Sequence, residues 1–144
     1  PDSAAALSNL AIGYNLRQAQ VAVFQDFAAA VQGFDITPGQ FGVLTLIDAN
    51  PGLNQSQLGL AMGVDRSTVV AVIDRLESRR LVARRPAPRD RRSYALALTA
   101  EGSRLLEVLR PLVRAHEARI AGALSPAEQQ TLIELLQRLR PGAR

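Results

Sequence analysis

The three residues Gly63-Val64-Asp65 constrain this chain more than any other stretch, because the segments on either side read as short helices and the link has room only for one tight turn. Upstream, Asn54 followed by Gln57 is a capping-box pattern, Leu58, Ala61 and Met62 form an inward face, and Gly63 supplies the stop. Downstream, Asp65 is an N-cap, and the spacing predicts a helix to about Arg79. On that second helix Val69, Val72, Ile73 and Leu76 share the side that must be buried. Ser67, Ala71, Asp74 and Ser78 lie opposite, flanked by Val70 and Arg75. Two short helices so joined make a helix-turn-helix.

The flanking sequence extends this unit in both directions. Apolar residues every three or four positions from Leu7 to Val31 predict a long helix from about Ala4 to Gln32, ended by Gly33. Thr37-Pro38-Gly39-Gln40 is a second capping box and starts a helix to about Ala49, which Asn50-Pro51-Gly52 breaks. After the helix-turn-helix, Leu81 to Arg85 and Ser93 to Leu98 are short enough to be strands. The second alternates Tyr94, Leu96 and Leu98 against Ser93, Ala95 and Ala97. Pro86 and Pro88 forbid a helix between them and are expected to hold an open tip from Pro86 to Arg89. Thr99 then caps a helix to about Ala121, kinked at Pro111, and Ser125-Pro126-Ala127-Glu128 opens a last helix with Leu132, Leu135, Leu136 and Leu139 on one side. The expected fold is mainly α with a small β-hairpin wing. It forms a single domain over residues 1–144, with a winged helix-turn-helix lobe at about 37–99 and outer helices at about 4–33 and 100–140.

Charge is concentrated in one place. Between Arg75 and Arg92 eight arginines face only Glu77 and Asp90, whereas nine arginines and eleven acids share the rest of the chain. All the basic residues are Arg, which suits bidentate contacts to phosphate and guanine. The chain has no Cys and a single His, His116, so thiol redox sensing, zinc ligation and a Ser-His-Asp triad are all disfavoured. An enzyme is not expected, and no cofactor is implied. His116 is expected at the surface or at a subunit interface. No segment approaches the roughly 20 apolar residues of a membrane span, and a cytoplasmic location is expected.

A helix-turn-helix followed at once by a basic hairpin has a mechanical use on double-stranded DNA. One helix can enter the major groove while the hairpin reaches the neighbouring minor groove, whose negative potential favours arginine. Small residues such as Ser67 and Ala71 allow close approach to base edges, and Val70 or Ala71 can meet a thymine methyl. Arg75 and Arg79 are better placed for phosphates. Asp74 fits poorly: either the helix enters by its N-terminal end and tilts Asp74 away, or the carboxylate accepts from a cytosine amine.

The stretch from Thr37 to Leu106 resembles the MarR family of bacterial transcription regulators, and the order of elements outside it agrees. The most specific part is Asp90-Arg91-Arg92-Ser93-Tyr94-Ala95-Leu96-Ala97-Leu98-Thr99, similar to that family's wing signature. Arg80 departs from it, standing where many relatives have Gly, which puts the local backbone in question. The resemblance implies that Arg92 enters the minor groove and pairs with Asp65. It also implies that the outer helices of two subunits interlock into a homodimer, and that a repressor leaves a pseudo-palindromic operator when an effector binds. Expected DNA contacts are Arg66, Ser67, Thr68, Val70, Ala71, Arg75, Arg79, Arg89, Arg91 and Arg92.

The segment from Gly13 to Phe27 is also similar to regulators of hydroxycinnamate and other aromatic-acid catabolism. Arg17 interrupts the apolar stripe of the first helix where another hydrophobe was due, and a guanidinium on a mostly buried face needs an anion. The expected effector is therefore a small aromatic anion or its CoA thioester, met by Arg17 with Tyr14, Phe24 and Phe41 as an aromatic wall. The alternative for Arg17 is a snorkelling side chain or an ion pair across the dimer. The competing function is a helical RNA-binding or protein-interaction adaptor using the same basic hairpin. A hydrolase built on Ser67 or Ser93 is a distant third.

Overall fold

A computed structural model describes residues 11–87 and 90–140, with the backbone alone for residues 90–93. Its elements are α1 (Ala11–Ala30), α2 (Pro38–Ala49), α3 (Gln55–Met62), α4 (Arg66–Ser78), β1 (Val82–Ala87), β2 (Asp90–Leu98), α5 (Ala100–Ile120) and α6 (Pro126–Arg138). The part of the first helix expected before Ala11 lies outside the described residues.

Local chemistry sets the helix boundaries. Thr37, Asn54 and Ser125 each accept from the backbone three residues on, while Gln40, Gln57 and Glu128 reach back to the cap. Asp65 and Thr99 cap α4 and α5 in the simpler way, accepting from the amides of Thr68 and Gly102. Each such cap contributes about 1 kcal/mol. Gly63, at φ +67°, ends α3 in the left-handed conformation that glycine adopts without a side-chain clash. Arg80 takes the same conformation, at φ +59°, and completes a Schellman turn. Its amide donates to Glu77 and that of Leu81 to Leu76. The fold therefore requires here the geometry that glycine would give more cheaply.

The core gathers around α2, whose Val43, Leu44 and Ile47 are buried against Leu58 of α3, Val69, Ile73 and Leu76 of α4, Leu96 of β2, and Leu106 and Leu109 of α5. Strands β1 and β2 pair antiparallel from Val82↔Leu98 to Pro86↔Tyr94, then shift register to Ala87↔Asp90. On its other side β2 meets the start of α3: the Leu96 amide donates to the Leu53 carbonyl, and Asn54 bridges Ala95. The outer edge therefore belongs to β1, and the expectation of an open tip from Pro86 is corrected. Pro86 lies within the strand, because an edge strand can lose a donor on its solvent side at little cost. Tyr94 does not anchor the strand to the core as its alternation suggested, for it is 52% exposed. Leu96 does that work.

The outer helices are poorly covered. Of the twenty residues of α1 only Phe27 is buried, and α6 buries none, leaving Leu132, Leu135, Leu136 and Leu139 exposed. Helix α1 lies against α5. The contact includes His116, which is buried within the subunit rather than lying at the surface or a subunit interface as expected. Its ring packs edge-on against Phe27, and its Nδ1 lies 2.6 Å from an Asp26 carboxylate oxygen. Arg119 holds the same carboxylate through Nε and Nη2, both at 3.1 Å. The polar partner on a neighbouring helix makes burial of the histidine tolerable.

Candidate nucleic-acid interface

Helix α4 presents Arg66, Ser67, Thr68, Ala71, Asp74, Arg75 and Ser78 to solvent, with Val70 half-buried at the margin. The side that packs is the one predicted, Val69, Ile73 and Leu76, with Val72 half-buried. The exposed side therefore carries small residues, Ser67 and Ala71, near its N-terminal end, where Arg66 and the helix dipole both add positive potential.

Asp65 at that end is engaged by its own helix. Its Oδ1 accepts from the Thr68 amide at 2.8 Å and from the Ser67 hydroxyl at 3.1 Å. Those hydrogen bonds, from Thr68 first and then Ser67, hold its carboxyl below the usual carboxylate range. Arg92, expected as its partner, lies in β2 as backbone alone. The same holds for Arg91, and Arg89 falls outside the described residues.

Arg79, which the sequence placed among the phosphate contacts, and Arg84, which it did not assign, are both engaged within the fold. Arg79 donates from Nη1 to the Asp35 carbonyl at 2.6 Å and from Nη2 to the Phe34 carbonyl at 2.9 Å, fastening the end of α4 to the loop between α1 and α2. Arg84 lies on β1 with its side chain only 20% exposed. From there Nη2 reaches Asp74 at 2.7 Å, Nη1 reaches Glu77 at 2.8 Å and Nε donates to Gln55 at 3.0 Å. Burial works against the charge of this guanidinium, but the carboxylates of Asp74 and Glu77 prevail and raise its pKa above the ordinary value. Asp74 is thus occupied by the wing. The sequence reading missed this cluster, although the poor fit of Asp74 to a DNA-facing surface signalled an undiscovered partner. Arg75 remains largely exposed, with a 3.7 Å pairing to the exposed Asp35.

The aromatic residues expected around an effector do not converge within one chain. Tyr14 and Phe24 are exposed on α1, about 15 Å apart along its axis, and Phe41 is half-buried edge-on to Phe27. Arg17 is also exposed, so the mostly buried face expected for it is not formed by the single subunit. Among the described residues no cluster of acidic, His or Cys side chains could hold a metal ion.

Residues 34–93 match the family model described as the MarR family. A protein of Thauera aromatica described as a transcriptional regulator for the hcr operon is 42% identical over 129 residues, covering 89% of this chain and 78% of its own. Among solved structures, the transcriptional repressor CouR bound to a 23-mer DNA duplex superimposes with a TM-score of 0.83 at 39% identity, covering 92% of this chain and 96% of that one. The PcaV regulator of Streptomyces coelicolor, in complex with its natural ligand, superimposes with a TM-score of 0.85 at 31% identity, covering 92% and 93%.

Proposed function

Because the chain belongs to the MarR family and is a DNA-binding transcription regulator, we propose that it acts as a homodimeric repressor that leaves a pseudo-palindromic operator when a small effector binds. The observation that carries this reading is the exposed N-terminal half of α4, where Ser67 and Ala71 are small and Arg66 adds positive charge, beside a hairpin of basic sequence. Arg66, Ser67, Thr68, Val70 and Ala71 read the major groove, Arg75 and the hairpin arginines Arg89 and Arg91 contact phosphates, and Arg92 enters the minor groove. Arg79 is withdrawn from this set by its two carbonyl partners. The lobe at about 37–99 and the outer helices act as one domain.

The uncovered leucines of α6 and the bare face of α1 support interlocking of two copies. Two-fold symmetry then places the recognition helices on half-sites about one helical turn apart. The effector is a small aromatic anion or its CoA thioester, held between the outer helices and the lobe once the second subunit covers Arg17, Tyr14 and Phe24. Similarity to the ligand-bound PcaV structure supports a ligand-responsive regulator. A cytoplasmic location accords with a regulator of DNA, and no helix among the described residues is long and apolar enough to cross a membrane.

Anisotropy titrations of duplex DNA, single strands and RNA across a salt series test the main reading. Steep salt dependence, with log K falling by about 0.9 per tenfold rise in salt for each phosphate neutralised, and preference for a palindromic duplex, is the expected result. Equal affinity for RNA or single strands would instead favour the adaptor. For the effector, a thermal-shift series of aromatic acids and their CoA thioesters identifies a binder, and calorimetry then compares Arg17→Ala with the unmodified protein. Unchanged affinity would remove Arg17 from the site.

A further inference from the structure

We propose that Arg84 is a positioning residue for DNA binding that acts by masking Asp74 and Glu77, and that it makes no contact with DNA itself. The inference rests on the assignment of α4 as the helix that meets DNA. Asp74 shares the exposed side of that helix with Ser67 and Ala71, and Glu77 follows three residues on, so two carboxylates stand where phosphates would repel them. Both are paired with one guanidinium arriving from the wing, Asp74 at 2.7 Å and Glu77 at 2.8 Å. The Arg84 side chain is largely covered and its third donor is fixed by Gln55, so it cannot swing out to a phosphate without abandoning all three partners.

The planar fork of arginine fits this task and a lysine ammonium does so only in part, since Arg84 spends Nε, Nη1 and Nη2 on three different acceptors. The strand that carries the basic hairpin therefore also cancels negative charge on the neighbouring helix. One residue of the wing thereby sets the sign of the surface that α4 offers.

The test uses the full chain and a labelled mixed-sequence duplex, read by anisotropy at low and moderate salt, with far-UV circular dichroism as a check of folding. Arg84→Gln is expected to weaken binding on the order of tenfold, the scale of exposed like-charge repulsion after screening. Arg84→Lys should keep most of the affinity. The decisive variant combines Arg84→Gln with Asp74→Asn and Glu77→Gln, which should recover most of the loss. A purely mechanical brace would not be rescued by removing its partners. Should Arg84→Gln fail to fold, the pair Asp74→Asn and Glu77→Gln with Arg84 intact decides: affinity equal to or above that of the unmodified protein supports masking. A folded triple variant that binds as weakly as Arg84→Gln, or a folded double variant that binds more weakly than the unmodified protein, overturns the proposal. Absence of duplex binding by the unmodified protein would overturn the DNA-binding assignment of α4 as well.

Discussion

Arg80 illustrates how a single residue can carry a conformational cost that its neighbours repay. Its left-handed backbone is imposed by the Schellman turn, and its carbonyl accepts from the Thr99 hydroxyl at 2.6 Å. Arg80→Gly should stabilise the protein by about 1 kcal/mol, the left-handed penalty of a side chain less the extra chain entropy of glycine, and thermal melting measures it. Asp26 makes a second residue-scale prediction. Hydrogen bonds from Arg119, then from His116, hold its carboxyl below the usual carboxylate range. A lowered folded pKa contributes stability that is present above the unfolded value of about 3.9 and disappears as pH falls through the lower folded value. Asp26→Asn should accordingly melt below the unmodified protein at neutral pH, with the gap closing as both are taken below about pH 4.

At the scale of elements, the joint between the hairpin and α5 leaves no room for a side chain at Gly102. A Cβ on Gly102 would lie 2.0 Å from the Leu81 carbonyl oxygen, a backbone atom that cannot move aside cheaply. Gly102→Ala should cost roughly 1–3 kcal/mol, as overpacking does, and calorimetric unfolding will show it. Element boundaries were readable because caps are written in adjacent residues: Thr37 with Gln40, Asn54 with Gln57, and Ser125 with Glu128 each declare a helix start within four positions. Partners distant in sequence were not readable. Asp26 and His116 are ninety residues apart, Arg79 reaches a loop more than forty residues upstream, and nothing near Arg84 reveals that Asp74 and Glu77 wait for it. Pro86 was misjudged for a related reason, since whether a strand lies at an edge is decided by what pairs on its far side.

For the molecule as a whole, the exposed leucines of α6 and the sparse burial of α1 make the isolated subunit incomplete. Leu136→Glu should shift the protein towards monomer in sedimentation velocity and weaken operator binding far more than binding to a half-site, because symmetric engagement is what adds the two halves. The helix-turn-helix and the hairpin behind it were legible in outline from Gly63-Val64-Asp65 and the alternation from Ser93 to Leu98. Which of the arginines face outward required the folded chain. The hairpin has one further implication. Its two ends are stapled together where the Thr99 amide meets the Leu81 carbonyl at 3.1 Å and the Thr99 hydroxyl meets Arg80. Everything beyond Arg84 therefore hangs from a closed neck, like a tool bit in a chuck. Hairpins of other lengths and charges can be grafted there to retune groove preference, provided that Arg84 stays with the handle.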